Sequence, residues 1–329
     1  MGASFLGDDF LMLLEYLCHM SDFVICIGAS LVDEIFYCKE KAIGATSNPA
    51  TSERFAGGVM GNISRMLAHL GLPVKLISVL GDDADGQWLK TELKKSGLQT
   101  DLMIHTVGAT GKYVSILQPD GSMYVSVCSD QTDLLLTPPF FNGIENELKS
   151  AKLLVADANL SVESLAWLCD FSRRFDVPLI LEPVSVIKAR KLAQINLNDV
   201  FMVTPNLEEL ESMFLDKSNS GKDSKDHLIQ LGVKRIWVRM GERGSLLKSN
   251  KEILELSAIP TVLVDSTGAG DAALAGWIAG WHKGWSDVLC MKAGHVLAHA
   301  TLQQKGAVAE HMNENQFISL IQKIYPDAF

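Results

Sequence analysis

Short apolar runs that alternate with stretches of helical spacing constrain this chain more than any other feature. Phe23–Gly28, Val74–Val79, Leu153–Asp157, Pro178–Glu182, Val200–Thr204 and Arg235–Met240 read as buried strands. Helices are expected at Gly61–Gly71, Gly86–Ser96, Val162–Phe175, Glu208–Phe214, Asp226–Leu231, Asp271–Lys283, Trp285–Gln303 and Glu314–Tyr325. Strand and helix in turn is the pattern of βαβ units, so the expectation is an α/β fold with a mostly parallel sheet. Two segments depart from it. Ser30–Phe55 holds strand-like pieces without a helix, and Lys112–Gln118, Pro119-Asp-Gly121, Ser122–Cys128 reads as a hairpin with alternating faces. Ser218–Asp226 is polar and expected as a loop.

The segment Val264-Asp-Ser-Thr-Gly-Ala-Gly-Asp271 carries the most chemistry. Pro260–Val264 reads as a strand and Ala272–Ala279 as a helix, with a glycine-rich turn between them. A Gly268-Ala269-Gly270 turn has no bulky side chains, so its amides can point into one concavity. Joined to a helix N-terminus, they form an anion site suited to a phosphoryl group. Asp271 beside that site could accept a proton from an attacking alcohol. The alternative is plain: Asp is a good helix cap, and such turns occur without chemistry. Gly268-x-Gly270-x-x-Ala273 also matches the dinucleotide fingerprint, but no strand ending in a ribose-binding acid follows it. A G-x-x-x-x-G-K-[ST] loop is absent from the chain.

Three further patterns stand in order with this one. Gly57-Gly58-Val-Met-Gly61-Asn62 opens a helix, Asn206-Leu-Glu-Glu209 follows a strand, and Gly241-Glu-Arg-Gly244 follows a later strand. Together with Asp265–Asp271 they resemble the signatures of the ribokinase-like, or PfkB, family of sugar and nucleoside kinases. The resemblance implies a ribokinase-like three-layer α/β/α domain over residues 21–329, with a mostly parallel sheet and a small β lid. The lid would come from about residues 30–55 and 106–130, and residues 1–20 would be an N-terminal extension.

The resemblance also assigns roles. Asp271 would be the catalytic base towards a primary hydroxyl attacking the γ-phosphate of ATP, with the amides of Gly268, Ala269 and Gly270 stabilising the transferring group. Glu209 and Asn206 would hold Mg²⁺ through waters. The same two residues also read as a capping box, which needs no metal. Asn206, Thr267, Gly241, Gly244 and His295 would face the nucleotide, and Asp33, Gly57, Gly58 and Asn62 the sugar. Asp265 and the Lys305-Gly306-Ala307 loop resemble a potassium site, although Glu310 stands where potassium-dependent ribokinases often carry Ser. His295 and His299 are spaced i, i+4, but no Glu lies between them, which favours packing or stacking over zinc.

Composition fits this class. A 329-residue chain that is 47% hydrophobic and 21% charged suits one large α/β domain. A net charge of −10 disfavours general nucleic-acid or anionic-membrane binding. Six cysteines without a C-x-x-C pair suit reduced thiols and a cytoplasmic setting. Asp8 and Asp9 precede the apolar Phe10–Leu14 where a signal peptide carries positive charge, and no stretch is long enough to span a bilayer. Homodimerisation through the lid strands is implied by the family and by the exposed edges such strands present.

Several phrases resemble the pseudouridine kinases within the family: Thr46-Ser-Asn-Pro49, Asp157-Ala-Asn-Leu160, Glu182-Pro-Val-Ser185 with Lys188, Thr204–Glu209, Ser129-Asp130, and Leu136-Thr-Pro138. Two positions depart: Gly61 replaces an Arg before the Asn, and Glu182 replaces an Asp. The expected activity is ATP-dependent 5′-phosphorylation of pseudouridine. Ribose, fructose or another nucleoside is the alternative acceptor, and a catalytically silent sugar- or nucleoside-binding protein is the alternative of another class.

Overall fold

The computed structural model of the chain describes residues 22–214 and 224–329. The expected N-terminal extension and most of the 218–226 loop lie outside these residues. From Ser224 onward the chain is already helical.

The strands are β1 (Val24–Ile27), β2 (Leu31–Cys38), β3 (Ala50–Gly57), β4 (Val74–Ile77), β5 (Val79–Gly81), β6 (Ile104–Thr106), β7 (Lys112–Leu117) and β8 (Met123–Ser129). They continue as β9 (Leu153–Asp157), β10 (Leu179–Glu182), β11 (Met202–Val203), β12 (Arg235–Arg239), β13 (Ser245–Ser249) and β14 (Ile253–Leu256). The helices are α1 (Val59–His69), α2 (Ala84–Lys95), α3 (Thr132–Leu135), α4 (Pro138–Gly143), α5 (Glu145–Lys149) and α6 (Val162–Phe175). After these come α7 (Val186–Ala189), α8 (Leu207–Ser212), α9 (Ser224–Gln230), α10 (Ala269–His282), α11 (Asp287–Leu302) and α12 (Glu314–Ile324).

Eight strands form the main sheet in the order β14-β13-β12-β11-β10-β9-β1-β4. The pairs from β12 to β4 are parallel, and β13 and β14 add an antiparallel hairpin at one edge. Alternation along the strands fills two separate cores. Val24, Cys26, Leu153, Val155, Ile180, Met202 and Trp237 face one of them, against α1, α10, α11 and α12. Ile25, Ile27, Leu154, Ala156, Leu179, Leu181, Ile236 and Val238 face the other, against α6, α8 and α9. These are the three layers of an α/β/α sandwich. A second sheet, β3-β2-β7-β8, stands off the first, and β2 and β3 lead straight into it from β1 and out of it to α1.

Three strand expectations need correction. Pro260–Val264 is not a strand: the β13–β14 hairpin already occupies that edge, so the segment runs instead along α11, where Val264 N–H donates to Leu302 O at 2.9 Å. Val74–Val79 is interrupted at Ser78, whose hydroxyl accepts from Ser30 N–H at 2.9 Å, and β5 leaves the main sheet to pair with β6. The run at Val200–Thr204 narrows to Met202–Val203 as ladder, although Phe201 and Thr204 amides still reach β10 carbonyls. The β13–β14 hairpin itself was not expected from the sequence.

Candidate active site

In an open parallel sheet, ligands gather beyond the carboxyl ends of the strands. That edge here is rich in charge: Asp157 ends β9, Glu182 ends β10 and Arg239 ends β12. The turn before α10 projects into the same region. Gly268, at φ +73, caps that helix in the left-handed region, where a side chain is disfavoured. A Cβ on it would also lie 2.4 Å from Ala307 O, so the turn is clamped on the 306–307 loop. The loop is tied from the other side too, since Asp265 accepts from Thr267 N–H at 2.9 Å and from Gly306 N–H at 3.0 Å.

The amides of the turn divide. Those of Gly268, Gly270 and Asp271 have no acceptor among the described residues, whereas Ala269 N–H is turned to Ser266 O at 3.4 Å. Three free amides at a helix N-terminus favour an anion. Asp271 stands in the first turn of α10 and accepts a hydrogen bond from Asn62 Nδ2 at 2.8 Å. Residues 209 positions apart are thereby joined, and the first glycine motif meets the last. Burial pushes the Asp271 carboxyl up to about 7; Glu182 and Asp33 push the same way, while the Asn62 bond and Arg239 oppose them. A carboxylate poised there suits general-base work near neutral pH.

Asp33 is the lid's contribution. It lies in β2, only 9% exposed, and burial lifts it to about 7 against the pull of Arg65. A Cβ on Gly57 would lie 2.1 Å from its Oδ2, so these two expected sugar-site residues are in contact across the β2–β3 pair. Gly58 is the N-cap of α1, four residues before Asn62. Gly61 has a packing reason: a Cβ there would meet Ser30 Oγ at 2.8 Å, so a larger residue would have to displace Ser30.

On the far side of the turn lies a cavity of about 710 Å³, lined by Arg239, Gly241, Gly244, Ala269, Gly270 and His295 together with Pro260, Thr261 and His299. Its size suits a mononucleotide. Neither Asn206 nor Thr267 is in its wall. His295 Nε2 shares a hydrogen with Ser245 Oγ at 2.7 Å, and that oxygen also accepts from Trp237 Nε1 at 2.9 Å. Burial lowers the His295 pKa, so the ring is neutral in the physiological range. Thr261 Oγ1 donates to Ile259 O and must therefore accept from His299 Nδ1, 2.6 Å away. Both histidines are thus engaged by hydroxyls.

The Asn206–Glu209 pair forms the capping box in full: Glu209 N–H donates to Asn206 Oδ1 at 2.8 Å, and Asn206 N–H to Glu209 Oε2 at 2.9 Å. The cap leaves Glu209 Oε1 without a donor among the described residues, so a water-mediated metal contact is compatible with it. Asn206 Oδ1 is committed to the cap. Burial, then the neighbouring Glu182 carboxylate, raises the Glu209 pKa, with Arg239 opposing. Among the described residues no three acidic, His or Cys side chains gather as a metal cage. The donor set therefore suits Mg²⁺ that keeps most of its waters and rests on nucleotide phosphates. At the expected potassium site each Asp265 oxygen already accepts an amide, and Glu310 is ion-paired with Arg65.

Sequence reading missed Arg239, which the structure sets between Glu182 and the α10 turn, and Thr204, whose Oγ1 donates to Glu182 Oε2 at 2.5 Å. Charged residues at the carboxyl ends of expected parallel strands were the available signal.

Comparison with known proteins agrees with this geometry. The pfkB family carbohydrate kinase profile matches residues 21–314. The pseudouridine kinase of Escherichia coli is 33% identical over 78% of this chain and 82% of its own length. The ribokinase of Bacillus subtilis is 23% identical over 75% of this chain and 82% of its own. Among solved structures, Arabidopsis thaliana ribokinase complexed with ribose and ATP superposes with a TM-score of 0.79 at 21% identity, covering 92% of this chain and 99% of that one. No helix among the described residues is long and apolar enough to cross a membrane. The chain belongs to the pfkB family of carbohydrate kinases, phosphotransferases that act on sugar hydroxyls.

Proposed function

We propose that the chain transfers the γ-phosphate of ATP to the 5′-hydroxyl of pseudouridine, with Asp271 as the base. The observation that carries the reading is the Asn62–Asp271 hydrogen bond, which joins the acceptor-side glycine motif to the carboxylate at the anion turn. The identity to a pseudouridine kinase and the shared phrases around Asp157, Ser185 and Glu209 support the choice of acceptor. Gly61 speaks for a contact set that differs from the subgroup's, without excluding its substrate.

In this reading the acceptor lies between Asp33, Gly57 and Asn62, with its primary hydroxyl directed to Asp271. As the hydroxyl oxygen attacks phosphorus, its proton passes to Asp271 and the bond to the ADP oxygen breaks. Base assistance of this kind is worth about 10²–10⁴-fold. The amides of Gly268 and Gly270 receive the charge that gathers on the transferring group. Mg²⁺, held through waters at Glu209, would neutralise phosphate charge when bound. Potassium near Asp265, a homodimer paired through the lid, and a cytosolic setting with reduced thiols complete the proposal.

The test is ADP release with Mg²⁺-ATP against pseudouridine, uridine, ribose and fructose, with and without K⁺. Turnover with pseudouridine alone supports the reading. Turnover with ribose, fructose or uridine in its place keeps the chemistry and replaces the acceptor. Tight pseudouridine binding without ADP release would mark a silent binding protein and overturn it.

A further inference from the structure

Arg239 is a charged group in the cleft that the family motifs leave without a task. Its Nη2 is fully engaged: it donates to Glu182 Oε1 at 2.8 Å, to Glu182 Oε2 at 3.0 Å and to Thr204 O. Nε and Nη1 have no hydrogen-bond partner among the described residues. Nη1 is the end that reaches the α10 turn, where a Cβ on Gly270 would lie 2.8 Å from it. The guanidinium therefore rests against the backbone of the anion turn, where a Cβ at position 270 would press on Nη1. Arg239, Ala269 and Gly270 form one continuous patch of the 710 Å³ cavity wall.

We propose that Arg239 is a second catalytic group, whose Nη1 contacts oxygens of the transferring phosphoryl group, and that Glu182 is its positioning residue. The inference rests on the assignment of the α10 turn as the transfer site. Phosphoryl transfer loads negative charge onto non-bridging oxygens, and a planar, permanently protonated fork matches them better than a point charge. Arg239 takes no proton in the step: the hydroxyl proton goes to Asp271, one P–O bond forms and one breaks. Glu182, 3% exposed and backed by Thr204, fixes the far side of the guanidinium so that the near side needs no reorganisation. A merely structural ion pair would be a poor reason for this arrangement, since a buried pair adds little stability over an apolar one. It would also have no need to leave one edge of the fork on a cavity wall. Glu182 is one of the two departures from the subgroup's pattern, and it faces Arg239, so the two residues form one unit.

The experiment compares the wild-type chain with R239K and with E182Q/R239M, the double variant removing both charges of the Glu182–Arg239 pair. Calorimetry measures Kd for adenosine, ADP and a non-hydrolysable ATP analogue, and steady-state kinetics give kcat and the acceptor KM. Adenosine binding and the acceptor KM should stay within a few-fold. Binding of the ATP analogue should weaken by about 10–100-fold, and kcat should fall by about 10²–10³-fold. Guanidinium ion added to the double variant should restore part of kcat, which a structural role would not allow. A folded double variant with wild-type analogue affinity and kcat overturns the proposal. A wild-type chain that binds none of the three compounds overturns the kinase reading itself, a result distinct from unchanged variants. Should the variants not fold, the wild type bound to ADP and aluminium fluoride decides: Nη1 in hydrogen-bond contact with the fluoride or β-phosphate supports the role, and a guanidinium confined to Glu182 and Thr204 refutes it.

Discussion

The two sheets of this molecule are built to opposite rules. In the main sheet every residue of β1, β9 and β10 is buried, with a helical layer on each face. In the lid, six of the seven residues of β8 are exposed. The groups proposed for the chemistry, Asp271, Glu209 and Arg239, stand on elements of the covered layers. A base must be held in one geometry before the substrate arrives, and close packing does that. The lid supplies one buried acid, Asp33, and otherwise keeps its outer strand open to solvent. Transfer and recognition are therefore separable, and variants in the two sheets should fail in different ways.

The sharpest separation is expected at Asp271. D271N keeps an oxygen for Asn62 Nδ2 and removes the base, so kcat should fall by about 10²–10⁴-fold while acceptor Kd stays within a few-fold. Single-turnover kinetics with calorimetry would read both, and a near wild-type kcat would remove Asp271 from the base role. D33N, on the lid side, should do the reverse. It should raise acceptor KM by about 10–100-fold, the cost of one charged hydrogen bond, and leave kcat for saturating acceptor within a few-fold. If D33N lowered kcat and left KM alone, the division between the sheets would be wrong.

pH offers a smaller, graded test. Asp271 and Asp33 are both lifted to about 7, first of all by burial. Asp271 must be ionised as base and Asp33 as hydrogen-bond acceptor, so kcat/KM should climb by up to about a hundredfold per pH unit below about 7 and level off above it. Stability runs the other way. A carboxyl whose folded pKa is raised binds more protons folded than unfolded, so its contribution falls as pH rises from about 4 to 7. D271N is exempt from that loss. Its Tm should exceed the wild type's by more at pH 8 than at pH 4, and an equal gap at both pH values would show that the Asp271 pKa is not raised.

The contrast between the sheets also explains what the sequence could tell. Continuous apolar runs announced β1, β9 and β10, because burial on two faces leaves them a polar residue only at the carboxyl end of β9 and β10. The anion turn was legible because glycine at 268 is demanded by backbone geometry, which a sequence records directly. Ion networks are different. That Glu182 would meet Arg239 depends on β10 and β12 flanking β11, a fact of strand order rather than of local pattern. The Pro260–Val264 run misled for the same reason: its composition suits a strand, but the edge it would join is occupied by β13 and β14, so Val262, Leu263 and Val264 stay exposed. Asn206 and Glu209 show a motif that serves two ends, since the full capping box still leaves one carboxylate oxygen open.

The smallest effect is expected where the lid meets solvent. Val125 and Val127 lie on one face of β8, at 43% and 62% exposure, and β8 is the outer strand of its sheet. An apolar edge strand left open in this way is a pairing surface, and a second copy of the chain is the partner that we propose for it. V127K places a charge on that surface. An exposed substitution should shift stability by no more than about 0.5 kcal/mol, and Asp271, Asn62 and Asp33 remain in place, so kcat should change less than about 3-fold, below 1 kcal/mol of barrier. The association state should respond instead, from dimer to monomer in sedimentation velocity. A wild-type chain that sediments as a monomer removes the pairing proposal. A V127K dimer moves the interface off β8, and a monomer with much reduced kcat would mean that the open sheet shapes the transfer site after all.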